Sequence, residues 1–319
     1  MKIKVLANDG ISKAGIDLLE SKNYEVITDN IEQEKLIEYI NENNISCLLV
    51  RSATKAKKDL IDSCKNLKLI GRGGVGMDNI DVDYAKSKGL HVINTPAASS
   101  HSVAELVFSH LFSCVRFLYD SNRNMPLEGD SNFKILKKNY AKGNELKGKT
   151  LGVIGFGRIG QETAKIALGI GMNVIFCDKF IDDKNIELDF ANGKKISFNL
   201  KSSSMSDLLK NSDYITLHVP AQKDFVIGQK EINLMKDGAG LINAARGGVV
   251  DEASLIESLN SGKLAFAGID TFENEPKPSV KLLMHPNISL SPHIGAATSE
   301  AQERIGKELA DQIISIYKI

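Results

Sequence analysis

Three polar residues of the chain carry side chains that could do chemistry together. Arg246 follows LINAA and precedes two glycines, Glu275 lies in IDTFENEP, and His293 lies in LSPHIGAAT. A guanidinium binds a carboxylate through a planar, permanently charged fork. An imidazole accepts a hydroxyl proton near neutral pH, and a carboxylate behind it fixes its tautomer. With a nicotinamide nearby, the three predict hydride transfer at a 2-hydroxy acid; taken singly, each is better explained as an ordinary surface or loop residue.

The stretch LGVIGFGRIG (151–160) predicts where that nicotinamide cofactor binds. Gly155 allows a tight turn, Gly157 lets the backbone approach a pyrophosphate, and Gly160 lets the following helix pack closely on the strand. The helix N-terminus then offers free N–H groups to the phosphates. Asp178, which ends the next strand 18 residues after Gly160, is predicted to bind the ribose 2′-hydroxyl and to repel a 2′-phosphate. The loop therefore predicts NAD rather than NADP.

Two series of short apolar strands alternate with helical patterns, as expected for parallel strands covered on both faces. The first series is predicted at Lys4–Ala7, Glu25–Ile27, Cys47–Val50, Lys68–Ile70 and His91–Ile93. The second is predicted at Leu151–Ile154, Asn173–Cys177, Tyr214–His218, Gly240–Asn243, Ala265–Ile269 and Ile288–Leu290. We expect an α/β fold with two doubly wound domains, and Arg246, Glu275 and His293 all follow strands of the second, where open α/β sheets build their sites.

Two helices stand out by their apolar residues. Ser102–Tyr119 is predicted as one helix whose Val, Leu and Phe residues cover more than one stripe. Such a helix is either buried in a core or packed against a partner subunit. The final helix, Ser299–Tyr317, has a single apolar face that must dock on another element.

Composition excludes several classes of function. The 319 residues hold 40 Lys and Arg against 40 Asp and Glu, so the cationic surplus of a non-specific nucleic-acid binder is missing. No run reaches the ~18 apolar residues of a membrane span, and MKIKVLANDG does not read as a signal peptide. The four cysteines form no CxxC pair and the histidines show no metal-ligand spacing. We expect a cytoplasmic protein without metal, membrane or nucleic-acid partners.

The motifs GFGRIG, NAARGGVVDE, GIDTFENEP and SPHIGAATSEAQER resemble those of the D-isomer-specific 2-hydroxyacid dehydrogenases, and the likeness covers essentially the whole chain. The resemblance implies a flavodoxin-like substrate domain at 1–98 and 291–319 and a Rossmann NAD-binding domain at 99–290. It also implies a homodimer that buries the helix Ser102–Tyr119.

The resemblance assigns roles to individual residues. Arg246 would hold the substrate carboxylate and carbonyl oxygen, His293 would be the acid/base, and Glu275 would orient His293. Asp270 would contact the nicotinamide carboxamide. Other residues that the resemblance places at the cofactor are Arg158, Ile159, His218, Pro220, Ala244 and Gly295, the adenine pocket being lined by His218 and Pro220.

Three further stretches, VRSATK, GRGGVGMDNID and NTPAASSHSVAEL, most resemble the family members that oxidise 3-phospho-D-glycerate to 3-phosphohydroxypyruvate, the entry to serine synthesis. Arg51, Ser52 and Arg72 would then bind the substrate phosphate, and the backbone of Val75 and Gly76 its carboxylate. Ser99 stands where many relatives have a substrate-binding Asn, and its reach is shorter. Because the sequence ends one helix after HIGAAT, we expect it to lack the C-terminal sensing domain of longer relatives.

Two alternatives stay open. A glyoxylate/hydroxypyruvate reductase or D-lactate dehydrogenase of the same family would not need Arg51 and Arg72. Some proteins similar to this family are NADH-sensing co-repressors, although the neutral charge offers no DNA footprint. A partner-binding role would survive His293→Gln, whereas a metabolic role would not.

Overall fold

The computed structural model describes residues 2–317 and divides the chain into two α/β units. One unit runs up to Ser102 and resumes at Ala296, and the other is Val103–Gly295. The predicted boundaries, 98/99 and 290/291, fall slightly earlier in the chain. They differ because Ala98 still bonds within the first unit, to Arg304 Nε (2.9 Å), and the backbone N–H groups of residues 294 and 295 bond within the second. That the units are a substrate domain and a cofactor domain remains a prediction.

The first unit is built on five parallel strands in the order β2-β1-β3-β4-β5. In chain order these are β1 (Lys4–Ala7), β2 (Glu25–Ile27), β3 (Cys47–Val50), β4 (Leu69–Arg72) and β5 (His91–Asn94). Its helices are α1 (Lys13–Ser21), α2 (Leu36–Glu42), α3 (Lys58–Ser63), α4 (Val82–Ser87) and α13 (Ser299–Tyr317). Successive strand residues face opposite sides, so that Leu48 packs in one core cluster and Leu49 in another. Both faces are therefore buried, as in other parallel sheets.

The second unit contains six parallel strands in the order β13-β12-β11-β10-β6-β7. They are β6 (Thr150–Ile154), β7 (Asn173–Cys177), β10 (Tyr214–Leu217), β11 (Ala239–Asn243), β12 (Leu264–Ile269) and β13 (Ile288–Leu290). The helices are α5 (Ser100–Val115), α6 (Leu118–Glu128), α7 (Phe133–Asn139), α8 (Arg158–Gly169), α9 (Met205–Asn211), α10 (Gln229–Leu234), α11 (Glu252–Asn260) and α12 (Val280–Leu283). These two parallel sheets confirm the predicted α/β fold class.

The predicted single helix over Ser102–Tyr119 is wrong. The chain bends by 57° between α5 and α6, where Phe117 takes a left-handed conformation with φ 55°. The carbonyl of Val115 leaves the helix ladder and accepts the N–H of Asn144 (2.9 Å). No single helix among the described residues is long and apolar enough to cross a bilayer, and only the bent pair α5–α6 passes that test of length and composition.

An antiparallel hairpin that was not predicted follows β7. Its strands are β8 (Asp183–Asp189) and β9 (Lys195–Lys201), paired from Asp183–Lys201 to Asp189–Lys195. Gly193, with φ 80°, allows the turn between them. The dipeptide Asn192–Gly193 between alternating residues is the signal that could have predicted this hairpin.

Helices α1 and α13 of the first unit approach each other at two glycines. A Cβ on Gly15 would lie 2.8 Å from the carbonyl oxygen of Gly306, and a Cβ on Gly306 would collide with Ser12. The backbones therefore touch, which brings Ile305, Leu309 and Ile313 of α13 against the sheet. The predicted docking face of the last helix is explained by this contact.

We predict that Gly15→Ala destabilises the protein by about 1–3 kcal/mol, because the added methyl overpacks this crossing. Urea unfolding followed by circular dichroism measures the change. Gly169→Ala is the matched control, since it is also helical and a Cβ there meets nothing within 4 Å; it should be neutral or stabilising by about 0.4–1 kcal/mol. Equal stability of Gly15→Ala and the unchanged protein would contradict the contact.

Candidate functional site

The predicted chemical groups of the second unit follow three neighbouring strands. Arg246 comes after β11, Glu275 after β12 and His293 after β13, and these strands pair in parallel, β11 with β12 and β12 with β13. Carboxyl ends of adjacent parallel strands lie side by side at one edge of a sheet. The fold therefore brings the three side chains to one edge of the second unit.

His293 and Glu275 form a hydrogen-bonded pair. The Nδ1 atom of His293 lies 2.8 Å from Oε2 of Glu275; because the carboxylate accepts, Nδ1 is the donor, and Nε2 is left as the nitrogen that can take a proton. The other carboxylate oxygen, Oε1, accepts the N–H of Phe272 (3.0 Å). The two side chains keep 40% and 36% of their surface exposed, so a substrate can reach them.

Arg246 lies on a loop that Asn243 braces. The amide of Asn243 donates to the carbonyl of Arg246 (2.9 Å) and accepts from the N–H of Ala245 (3.1 Å). The next residue, Gly247, packs against the carbonyl of Phe272 with no room for a side chain. The loop of Arg246 is thus in contact with the loop that orients Glu275.

Asp270 anchors the loop that carries His293. It is 1% exposed, and its Oδ1 accepts the hydroxyl of Ser291 (2.6 Å) and the N–H of Ile294 (2.8 Å). Its Oδ2 accepts the N–H of Gly295 (3.0 Å). His293 itself has φ 55°, a left-handed conformation uncommon outside glycine. The Asp270 carboxylate holds this conformation by binding the two N–H groups that follow it.

The glycine loop has the shape that a dinucleotide pyrophosphate requires. Gly155 has φ 87°, and a Cβ on it would meet the carbonyl of His218 at 2.6 Å. A Cβ on Gly160 would collide with the carbonyl of Gly155, whereas Gly157 borders open space. The first-turn N–H groups of α8, at Arg158 and Ile159, have no intrahelical acceptor. The loop is closed on the protein side and open at Gly157, where a phosphate can approach the helix N-terminus.

Asp178 ties this loop to the end of β7. Its Oδ2 accepts the N–H of Phe156 (2.6 Å), and its Oδ1 accepts those of Phe180 (2.8 Å) and Ile181 (3.2 Å). A carboxylate has about four acceptor positions, so one on Oδ2 remains for a ribose hydroxyl. The predicted ribose contact is therefore compatible with the hydrogen bonds of Asp178, which also holds the loop.

His218 follows β10 beside the glycine loop. Its Nε2 lies 3.1 Å from the hydroxyl of Thr216, and its Nδ1 is buried without a hydrogen-bond partner among residues 2–317. Burial lowers the pKa of His218 to about 3, so the ring is neutral at physiological pH. An unpaired buried nitrogen next to the glycine loop fits the cofactor contact predicted for His218. Pro220 is exposed two residues further, and Ala244 is buried after β11.

Arg51 and Arg72 lie at the same end of two neighbouring strands of the first unit. Val50 pairs with Arg72 across β3 and β4, so Arg51 continues the neighbouring strand. Asp9 accepts the N–H of Arg51 (2.5 Å), and Asn79 donates to its carbonyl (2.7 Å). One guanidinium nitrogen of Arg72 donates to the carbonyl of Gly73 (3.2 Å). Arg72 is level with Val50, so Arg51 lies one residue beyond it, and the two side chains start on opposite faces at the same end of β3 and β4.

The remaining predicted substrate residues of the first unit differ in exposure. Ser52 is exposed, and Val75 and Gly76 are half-buried on a loop held by the Asn94 amide, which donates to the carbonyl of Val75 (2.8 Å). Ser99 is buried just before α5. Ser52, Val75 and Gly76 follow the same sheet edge as Arg51 and Arg72, whereas Ser99 belongs to the segment that follows β5.

Several supporting residues were missed by the sequence analysis. Asp9 and Asn79 brace the loop of Arg51, and Asn243 braces that of Arg246. Glu252 and Glu273 form a reciprocal clamp, each carboxylate accepting the other residue's N–H (2.9 and 2.8 Å). A polar residue at the end of a buried strand, as in LAND and LIN, was the available signal for Asp9 and Asn243, whereas Asn79 and the clamp carried none. Within the described residues, no cluster of three or more His, Cys, Asp or Glu side chains could hold a metal ion.

The comparison with protein families matches residues 108–295, more than half of the chain, to the NAD-binding domain of D-isomer-specific 2-hydroxyacid dehydrogenases. The chain belongs to this family. The dehydrogenase is 42% identical to the hydroxypyruvate reductase of Thermotoga maritima, over 98% of this chain and 97% of that protein. It is 39% identical to the D-3-phosphoglycerate dehydrogenase of Methanocaldococcus jannaschii, over 99% of this chain but only 58% of that protein.

Among solved structures, the D-lactate dehydrogenase of Aquifex aeolicus, determined with NAD and lactic acid, is 29% identical to this dehydrogenase. The TM-score is 0.74, and the match covers 99% of this chain and 96% of the other. The dehydrogenase is thus an NAD-dependent oxidoreductase that acts on a small 2-hydroxy or 2-oxo acid. The expected family, enzyme class and cofactor are confirmed, whereas the roles of individual residues stay predictions.

We predict that Asp178→Ala raises the dissociation constant of the dehydrogenase for NADH about tenfold or more, because a charge-assisted hydrogen bond to the ribose is lost. The ratio of NADPH to NADH affinity should rise at the same time, since the repulsion of a 2′-phosphate is removed. Titration of NADH and NADPH fluorescence measures both constants.

Asp182→Ala is the control, because that exposed residue loses the same charge four positions along. A loosened glycine loop alone would weaken both cofactors equally. An unchanged NADPH-to-NADH ratio would therefore show that Asp178 does not discriminate between them.

Proposed function

We propose that this dehydrogenase interconverts 3-phospho-D-glycerate and 3-phosphohydroxypyruvate, the reaction that leads into serine synthesis. The observation that carries the phosphorylated substrate is that Arg72 ends β4 and Arg51 directly follows the neighbouring strand β3, so that both cationic residues lie at the same end of this sheet. Two guanidinium groups bind the three oxygens of a phosphate through several charge-assisted hydrogen bonds. The identity to a D-3-phosphoglycerate dehydrogenase over 99% of this chain supports the same substrate.

The second unit supplies the groups for oxidation at C2. When bound, NAD accepts the hydride from that carbon. The Nε2 atom of His293 takes the hydroxyl proton, and the carboxylate of Glu275, 2.8 Å from Nδ1, stabilises the imidazolium that forms. Arg246 binds the substrate carboxylate and polarises the oxygen on C2. In the reverse direction the imidazolium returns the proton.

A second candidate is the reduction of hydroxypyruvate. The Thermotoga maritima hydroxypyruvate reductase matches nearly its full length, whereas this chain spans just over half of the phosphoglycerate dehydrogenase described above. The same His293, Glu275 and Arg246 serve both reactions, because the reacting carbons are chemically equivalent. The two candidates differ in whether Arg51 and Arg72 touch the substrate.

We predict a preference for 3-phosphohydroxypyruvate over hydroxypyruvate, glyoxylate and pyruvate when NADH oxidation is followed by the absorbance of the reduced nicotinamide. The double variant Arg51→Gln/Arg72→Gln should raise KM for the phosphorylated acid by about 10–100-fold, because charge-assisted hydrogen bonds are lost. The KM for hydroxypyruvate should stay nearly unchanged.

The control is Lys68→Gln, which removes an exposed positive charge just before the other end of β4. Equal rates with the unphosphorylated acids, together with an active double variant, would favour the hydroxypyruvate reductase. His293→Gln should lower kcat by about 10²–10⁴-fold on every substrate. Retained turnover by that variant would overturn both candidates.

We further propose that the protein is a homodimer whose interface is an apolar surface on α5, α6 and α7. Every residue of α6 is half-buried or exposed, so this helix has an uncovered apolar side. The exposed large hydrophobic residues of this α5–α7 surface are Phe112, Leu118, Met125, Leu127, Phe133 and Ile135. Large hydrophobic residues that stay exposed on consecutive helices are typical of a surface that another chain covers.

We predict that light scattering at micromolar concentration gives twice the mass of one chain. The double variant Leu127→Glu/Phe133→Glu should shift the mass to that of a monomer, because two carboxylates would be buried unpaired in the interface. Ile196→Glu, on the hairpin outside this surface and 49% exposed, should remain a dimer. A monomeric mass for the unchanged protein would contradict the proposal.

The cytoplasmic location expected from the sequence also stays a prediction.

A further inference from the structure

A buried histidine interrupts the apolar face of α5. His110 is 5% exposed and is surrounded in sequence by Val107, Leu111 and Cys114, which belong to one core cluster. A polar ring in such a place is costly unless its nitrogen atoms are hydrogen-bonded. Both are bonded, Nδ1 to the hydroxyl of Ser289 (2.9 Å) and Nε2 to that of Ser291 (2.8 Å). The ring is thus fully satisfied inside the core.

The direction of these hydrogen bonds follows from counting protons. Ser291 has one hydroxyl proton, which it donates to Oδ1 of Asp270 (2.6 Å). Its oxygen therefore accepts from His110, so Nε2 carries a proton. Burial lowers the pKa of His110, against an opposing effect of the Asp270 charge, so the ring is neutral and Nδ1 accepts from Ser289. The chain of donors runs from Ser289 through His110 and Ser291 to Asp270.

This hydrogen-bond chain ends on the carboxylate of Asp270, which anchors the His293 loop. With Ser291 and the N–H of Ile294 both on Oδ1, that oxygen is fully occupied, and Oδ2 keeps one acceptor position beside the N–H of Gly295. The plane of the Asp270 carboxylate is therefore determined by bonds on both oxygens. If the N–H donor of His110 were removed, the hydroxyl of Ser291 could rotate away from Asp270. Oδ1 of Asp270 would then lose one of its hydrogen bonds.

Packing gives His110 little freedom to move. A Cβ on Gly268 of β12 would lie 2.7 Å from the Cβ of His110, so α5 presses directly on the strand that leads to Asp270. Ser289 lies in β13 and Ser291 directly after it. His110 thus fixes α5 against the two strands whose ends carry Asp270 and His293.

We propose that His110 is a positioning residue for hydride transfer, holding the Asp270 carboxylate and the His293 loop in place through the hydroxyl of Ser291. The inference rests on the family's dehydrogenase activity and not on the choice between phosphorylated and unphosphorylated substrates. If the positioning role of His110 were disproved, the proposed phosphorylated substrate would be unaffected, because the Arg51→Gln/Arg72→Gln variant tests that substrate separately.

The test compares His110→Leu, His110→Gln and Ser291→Ala in the NADH-dependent reduction of whichever 2-oxo acid is turned over fastest. Loss of the donor should lower kcat of His110→Leu about tenfold through imprecise placement of the reacting groups, with KM for the oxo acid nearly unchanged. His110→Gln retains an N–H donor for Ser291 and should stay within about threefold of the unchanged enzyme. Ser291→Ala should lose as much kcat as His110→Leu.

The double variant His110→Leu/Ser291→Ala should be no slower than either single variant, because residues acting through one chain are not additive. Leu111→Val is the matched control, since Leu111 is the next buried residue of α5 and makes no contribution to the chain. It should lower the melting temperature while leaving kcat unchanged. This control separates a loss of stability from a loss of positioning.

An unchanged kcat in His110→Leu would overturn the proposal, as would equal impairment of His110→Gln and His110→Leu. A double variant that loses the product of the two single effects would also overturn it. Should His110→Leu fail to fold, Ser291→Ala and His110→Gln decide. A lowered kcat in Ser291→Ala together with a near-normal kcat in His110→Gln supports the proposed hydrogen-bond chain. Any other combination of the two results contradicts it.

Discussion

The carboxylate of Asp270 is the constraint on which the position of His293 in the second unit depends. It lies at the end of β12, almost inaccessible to solvent, and binds the N–H groups of Ile294 and Gly295. Those two residues follow His293, whose backbone is in a conformation that an unsupported loop would leave. With the backbone fixed in this way, the imidazole of His293 forms its hydrogen bond to the carboxylate of Glu275.

The same device recurs at three strand ends. Asp9 after β1, Asp178 after β7 and Asp270 after β12 each bind backbone N–H groups of a loop that carries predicted site residues. Where parallel strands end, the chain leaves the ladder and its N–H groups need other acceptors. A carboxylate can accept several of them at once. The aspartates thus satisfy the backbone and determine the shape of the loops that carry Arg51, the glycine turn and His293.

Much of this arrangement could be predicted because its signals are local. The strand ends that carry Arg246 and His293, and the glycines at 155, 157 and 160, are readable from composition and spacing within a few residues. The break before Phe117 could not be read in this way, because Val115 finds its partner at Asn144. For His110 the sequence showed only that it has no metal-ligand spacing, since its partner Ser291 lies far along the chain. The hairpin differs from these two cases, because its signal, the dipeptide Asn192–Gly193, is local and could have predicted it.

The segment that follows this hairpin covers part of an open sheet edge in the second unit. Strand β7 is the last of its sheet, and an open strand edge is a template for pairing with foreign strands. The segment after β9 occupies this edge: Ser202 forms a parallel bridge with Phe176, and the N–H of Ser203 donates to the Phe176 carbonyl (2.8 Å). The chain that returns from the hairpin therefore covers the edge of β7 at Phe176, where another strand could otherwise pair with it.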